Sequence, residues 1–386
     1  MKVVLVATYD WYMYNFKLPI AQGLREQGFD VVLVTPPGPY VERMQDKGYV
    51  WREWALDRHS MNPLKELRAL VHLLQLYRQE APDIVHHFTA KGMLYGTIAA
   101  RLARVQHIIN AVTGGVSALG NVVSDRKWVY QIVKKFVGTV FQYTLSGTEV
   151  IFQNPDDMEA FIGRKFVMRS HAHLIKGSGV DLEEFRGTDE REGLPTVILA
   201  GRLLWSKGVG EFVEASKHVR RRGKEIRFVL VGDTDKSNPK SVPGAQIEEW
   251  EEDGLVEWWG FREDMQAVFE QSHIVCSPSY YREGVPKVLI EAAACERPIV
   301  TTDMPGCREI VRNDKNGILV PPKNAEALAD ALIRLASDAS LRRKMGRRGR
   351  EIVKEEFSVE RVVEQTMEVY DKLSVSESLT VRPVST

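Results

Sequence analysis

The sequence predicts an α/β protein made of two doubly wound domains, each a parallel sheet with helices on both faces. Three observations carry this. Short β-branched runs alternate with longer segments of helical period, the alternation that builds parallel sheets. The alternation pauses near residue 180 and begins again near 196. And 386 residues with 44% hydrophobic and 27% charged side chains suffice for two cores. Such sheets bind ligands beyond the carboxyl ends of their strands, so two of them facing one another would line one cleft.

The elements follow in order. Val3–Ala7 opens the first sheet; its apolar run is of strand length and too short for a signal-peptide core. Val31–Thr35, Asp83–His86, His107–Val112 and Val150–Phe152 continue it, with helices expected at Leu18–Gln27, Pro63–Arg78, Met93–Arg104, Lys127–Tyr143 and Pro155–Ile162. Gly177-Ser178-Gly179-Val180-Asp181 and the acidic stretch after it divide the chain. This gives a first domain at 1–180, a linker at 181–195 and a second domain at 196–358. The second sheet takes Val197–Ala200, Arg227–Val231, Val256–Trp258, Ile274–Cys276 and Ile299–Thr301. An apolar-periodic helix at 359–373 is expected to return to the first domain, and the polar tail 374–386 to be disordered.

Composition excludes several classes. Lys+Arg and Asp+Glu both number 52, without the basic excess of a nucleic-acid binder. Cys276, Cys295 and Cys307 lack metal-ligand spacing and read as reduced buried thiols of a cytoplasmic protein. No run approaches the roughly 18 apolar residues of a spanning helix.

Chemistry concentrates in the second half. Gly201 closes a strand where backbone can approach a ligand, and Arg202 and Lys207 follow with charge suited to a diphosphate. Gly232 and Asp233 end the next strand in the same way. In Glu283-Gly284-Val285-Pro286-Lys287-Val288-Leu289-Ile290-Glu291, Pro286 suits a first helical turn, whose backbone N–H groups near Val285–Lys287 can bind an anion. Glu283 then lies in the preceding loop and Glu291 on the helix. Taken alone, each of these is as readily a surface charge.

In this order the motifs resemble the donor half of retaining glycosyltransferases of family 4, which have the GT-B fold, and the resemblance runs over roughly residues 1–370. It implies that Arg202 and Lys207 neutralise the donor diphosphate, that Glu283 meets the donor sugar, and that Glu291 holds the ribose. The first half, with Asp83-Ile84-Val85-His86-His87-Phe88-Thr89-Ala90-Lys91 and Asn110-Ala111-Val112-Thr113-Gly114, is similar to a bacterial branch. That branch adds N-acetylhexosamines to undecaprenyl-diphosphate-linked sugars. The implied donor is a UDP-sugar, and the implied acceptor a polyprenyl-diphosphate-linked sugar at the inner face of the cytoplasmic membrane. Asn15, His86, His87, Thr89, Lys91, Thr113 and Gly114 are the acceptor-side candidates. Of the two histidines, one is expected in the core and one toward the acceptor; Lys91 could pair with a lipid diphosphate or be a surface charge.

Two departures from the family pattern stand out. Tyr9–Phe16 replaces a Gly-Gly loop, and Thr113-Gly114-Gly115 stands where many members carry a histidine. Asp233-Thr234-Asp235 has metal-motif spacing, but it sits on a strand-end loop, so no metal or other cofactor is expected. Residues 84–148 hold seven basic residues and one acid. The basic aromatic segment from Arg126 to Phe141 is therefore expected to touch an anionic membrane, or else to pack its apolar stripe on the sheet. Rival readings are a UDP-sugar epimerase or hydrolase on the same fold, and a non-catalytic sugar-nucleotide sensor.

Overall fold

The computed structural model describes residues 1–58, 60, 62–114, 138–235 and 238–378. It divides into two units: Met1–Ser178 with the segment from Glu360 onward, and Gly179–Val359.

Unit 1 contains a seven-stranded sheet of β1 (Lys2–Val6), β2 (Asp30–Thr35), β3 (Val50–Glu53), β4 (Ile84–Phe88), β5 (His107–Val112), β6 (Glu149–Phe152) and β7 (Ala172–Leu174). Every pairing is parallel and the order is β3-β2-β1-β4-β5-β6-β7. The central strands are buried on both faces: β1 reads as an apolar run after Lys2, and β4 takes even His86 and His87 inside. The first helix spans Asp10–Glu26 and not Leu18–Gln27. Its opening turns are aromatic, yet Tyr12 and Met13 already face the core. The C-terminal helix, Val359–Ser378, sends Val362, Met367, Val369 and Tyr370 into the same core. Residues 374–378 are therefore helical, against the expected disorder; the rest of that tail lies outside the described residues. So do residues 126–137, the greater part of the basic aromatic segment; residues 138–145 are helical.

Unit 2 has six parallel strands, β8 (Thr196–Ala200), β9 (Arg227–Val231), β10 (Glu257–Trp258), β11 (Ile274–Ser277), β12 (Ile299–Thr302) and β13 (Gly317–Val320), in the order β10-β9-β8-β11-β12-β13. Its ends meet: Val180 N–H donates to Phe357 O at 3.0 Å, and Val359 N–H to Val180 O at 3.0 Å. The stretch expected as a linker is pinned to this unit. Buried Arg297 donates to Thr188 O and Oγ1, both at 2.8 Å, Arg342 pairs with Glu190 at 2.9 Å, and His273 Nε2–H donates to Arg191 O at 2.8 Å. A tether has no such anchors. Among the described residues, no helix is long and apolar enough to cross a membrane.

Candidate active site

In unit 2 the chain runs outward from β8 to β9 and β10, then returns to β11 on the other side of β8 and continues to β12 and β13. The connections leaving β8 and β11 diverge, which opens a crevice beyond the carboxyl ends of these two neighbours. The motif residues lie around it. Gly201 follows β8 at φ 144°, and Gly232 follows β9 at φ 136°. A Cβ on Gly232 would stand 1.9 Å from Gly201 O, so only glycine lets these turns pack backbone to backbone.

A short 3-10 turn, Trp205–Lys207, then ends on Gly208 at φ 81°. Gly208 abuts the loop after β11, where an added Cβ would meet Pro278 O at 2.2 Å. Tyr280 N–H closes the contact by donating to Ser206 O at 3.1 Å. Glu283 is thereby brought to Lys207, 76 residues away in sequence. Lys207 Nζ donates to Glu283 Oε2 at 2.5 Å, and Ser279 Oγ to Glu283 Oε1 at 2.9 Å. The Lys207 and Glu283 side chains keep 24% and 19% exposure, so the pair is held yet open to a ligand. Arg202 is exposed beside Tyr281. Burial and the Glu283 charge raise the Tyr281 phenol, and Arg202 draws it back.

Pro286 sits at the cap, one residue earlier than expected, and the helix is Lys287–Ala294. Proline has no side-chain acceptor, so the cap residue itself makes no side-chain hydrogen bond to the first turn, and Leu289 N–H donates to Pro286 O at 3.1 Å. Val285 is core. Glu291 is buried on this helix, where burial raises its carboxyl and Lys287, at 3.5 Å, pulls it back. Asp233 is exposed, and its carbonyl accepts from Leu203 N–H at 3.1 Å. Among the described residues no group of three or more His, Cys, Asp or Glu is placed to hold a metal.

Sequence reasoning missed Gly306 as a site residue. It follows β12 at φ 85°, and a Cβ there would come within 1.8 Å of Gly284 O and 2.9 Å of Glu283 O. Ser279 was missed as well, and its backbone is held by Thr302 Oγ1. Neither has a spacing signal, because each acts through a loop brought in by another strand.

In unit 1 the corresponding crevice lies beyond β1 and β4. Thr89 Oγ1 donates to Thr8 Oγ1 across it at 3.1 Å. Thr89 itself is at φ 73° and ψ 158°, a conformation normally left to glycine. Tyr9 and Trp11 stack with their ring centroids 6.1 Å apart, and the Arg58 guanidinium lies 4.2 Å from the Tyr9 centroid. Asn15 donates to Trp11 O at 2.8 Å within its own helix. Gly114 is at φ 93°, and Thr113 lies beside the Tyr12 hydroxyl.

The histidine expectation is corrected. Both are buried, because β4 is covered on its two faces. His86 Nδ1 meets Tyr370 Oη at 3.0 Å; His87 Nε2 meets Tyr77 Oη at 2.9 Å and its Nδ1 meets Asn110 Oδ1 at 3.0 Å. Burial lowers both rings, that of His87 to about 4. Lys91 is also committed inside the unit, to Glu66 at 2.9 Å and Ser60 O at 2.7 Å, and is not left for a lipid diphosphate.

Residues 2–154 match a family model described as glycosyl transferase 4-like, and residues 194–338 one described as glycosyl transferases group 1. The N,N'-diacetylbacillosaminyl-diphospho-undecaprenol alpha-1,3-N-acetylgalactosaminyltransferase of Campylobacter jejuni is 26% identical over 86% of this chain and 88% of its own. The alpha-maltose-1-phosphate synthase of Mycolicibacterium smegmatis is 30% identical over 76% of this chain and 80% of its own. Among solved structures, HepE of Anabaena in complex with UDP-glucose superposes with a TM-score of 0.74 at 18% identity, covering 97% of this chain and all of that one.

Proposed function

The chain belongs to the group 1, family 4-like glycosyltransferases and has their GT-B fold, and on that premise we propose that it moves an N-acetylhexosamine from a UDP-sugar to a polyprenyl-diphosphate-linked sugar, with retention. The observation that carries the donor half of this reading is the Lys207–Glu283 pair at the β8/β11 crevice, flanked by Arg202 and the uncapped helix end. The acceptor half rests on the likeness to the Campylobacter enzyme. The work would take place at the inner face of the cytoplasmic membrane, where such acceptors are carried.

Arg202 and Lys207 stabilise the charge that develops on the departing diphosphate, and the first-turn N–H groups add to it. Glu283 accepts from the donor sugar and steadies positive charge at its anomeric carbon, and Glu291 accepts from the ribose. The acceptor hydroxyl forms its bond to the anomeric carbon on the face that UDP leaves. Its proton passes to the departing phosphate oxygen. Arg202 and Lys207 supply the positive charge that a divalent ion supplies in other transferases, so the reaction is proposed to need no metal.

The test is UDP release from a panel of UDP-sugars, with and without a polyprenyl-diphosphate sugar, and with EDTA. Acceptor-dependent release that survives EDTA supports the proposal and names the donor. Release with a sugar phosphate and none with the lipid would move the acceptor toward that of the maltose-1-phosphate synthase. Release with no acceptor would sink the transfer to lipid. Glu283→Gln should cut turnover about 10²-fold, while folding stability changes by about 1 kcal/mol, since the pair is partly solvated and glutamine can still accept from Ser279.

A further inference from the structure

Helix Pro63–Glu80 carries two apolar faces where its place in unit 1 requires one. Its inner face, Ala69, Leu73, Leu76 and Tyr77, is buried against Val4, Val32 and Val85 of the sheet. Its outer face shows Leu64, Leu67 and Val71, which are 77%, 56% and 43% exposed. At 3.6 residues per turn these three fall within an arc of about 60°, opposite the inner face. Single exposed aliphatics are ordinary, but an aligned stripe of them is not.

The charges of the helix itself are sorted by sign, and the nearby exposed Asp57 is paired with Lys65 at 3.0 Å. Both acids of the helix are drawn inward and held: Glu66 by Lys91 at 2.9 Å and Tyr95 Oη at 2.5 Å, and Glu80 by Lys2 at 3.1 Å and Arg52 at 2.6 Å. Arg68 and Arg78 stand exposed beside the stripe. The Glu66–Lys91 pair joins the first turn of this helix to the first turn of the helix that follows β4. Leu64 and Leu67 thus lie at the ligand-binding end of the unit 1 sheet.

We propose that this outer face docks on an anionic lipid bilayer, with Leu64, Leu67 and Val71 entering the boundary between headgroups and acyl chains and Arg68 and Arg78 among the phosphates. A narrow aliphatic stripe with arginines at its edge and no aromatic anchor fits that partner better than a protein interface of ordinary size. The choice of a lipid partner leans on the acceptor reading above, since a lipid-linked sugar reaching this end would bring its membrane with it.

The experiment is co-sedimentation of the full chain with phosphatidylcholine vesicles, with and without phosphatidylglycerol, in the absence of donor and acceptor. Binding should need phosphatidylglycerol and weaken with salt. Leu64→Gln/Leu67→Gln/Val71→Gln and, separately, Arg68→Gln/Arg78→Gln should each weaken it tenfold or more on the usual scale of about fivefold per basic residue. Both variants should keep the native thermal midpoint and the rate of UDP release with a short-chain, water-soluble acceptor. Native protein left in the supernatant, or a triple glutamine variant that binds as well as native, would overturn the docking face. So would a dimer that the triple variant breaks without any change in vesicle binding. Intact vesicle binding with no transfer to any lipid acceptor would instead overturn the acceptor reading and leave the docking face standing.

Discussion

Gly306 shows how a residue without a functional group governs one that has it. Its bare Cα lets the loop after β12 lie on Gly284 O, which holds the backbone of Glu283 in place. Gly306→Ala adds a methyl at a positive φ against a carbonyl that can retreat only by moving Glu283 away from Lys207. We expect a loss of about 10²-fold in kcat/KM, the scale of an ångström's misplacement, measured as UDP release beside a thermal midpoint. A variant that melts lower but turns over normally would confine Gly306 to stability. His87, buried and hydrogen-bonded on both ring nitrogens, is expected to act on stability. Burial holds its ring to about 4 against an ordinary 6.5, so the unfolded chain takes up this proton before the folded chain does. Its contribution is whole above pH 6.5 and drains away as pH falls toward 4, by up to about 3 kcal/mol; His86 moves in the same direction. Denaturant midpoints should therefore fall between pH 7 and pH 5, and equal midpoints would refute the assignment.

Among elements, the C-terminal helix completes a core that the first 178 residues leave open. Tyr370 is fully buried and its hydroxyl is the partner of His86 Nδ1. Tyr370→Phe keeps the packing and orphans that nitrogen, so it should cost about 1–3 kcal/mol of stability with little effect on donor binding. An unchanged midpoint would mean that the histidine finds another partner. The elements legible in the sequence were those whose burial writes a pattern. The inner residues of β1, β2, β8 and β9 are all apolar because both faces are covered, and β5 breaks its run only at Asn110 after the opening His107. β3 was not legible, since Val50–Glu53 is an edge strand that is mostly exposed and half charged. The helix at Asp10 was hidden by aromatics that read as a loop in place of the family's Gly-Gly turn. The site was legible where one loop carries several of its residues, as in Glu283–Glu291, and illegible where loops meet. Nothing in the spacing pairs Lys207 with Glu283, and nothing in His86-His87 announces that Tyr370 and Tyr77 wait on opposite sides of the sheet.

For the whole molecule, the two units differ in how the chain supplies them. Unit 2 is one continuous segment with its own core, and its ends are joined by the Val180 and Val359 hydrogen bonds. Residues 179–359 alone should unfold in a single cooperative transition and still bind UDP, as calorimetry on the fragment would show. Residues 1–178 alone should not, because Val362, Met367, Val369 and Tyr370 are missing from their core. A cooperatively folded 1–178 fragment, or a molten 179–359 fragment, would reverse this assignment.

The discontinuity of unit 1 also sets a timetable. At a synthesis rate of about 5–20 residues per second, roughly 190 residues separate the end of its first segment from Tyr370, or about 10–40 s on the ribosome. During that interval the half made first waits with an open flank at Gly23 and Phe29, which Val363 and Tyr370 of the last helix will cover, while the half made second can finish. The nascent chain thus matures in the reverse of the order in which it is read, and the waiting half is the one that a chaperone would have to shield.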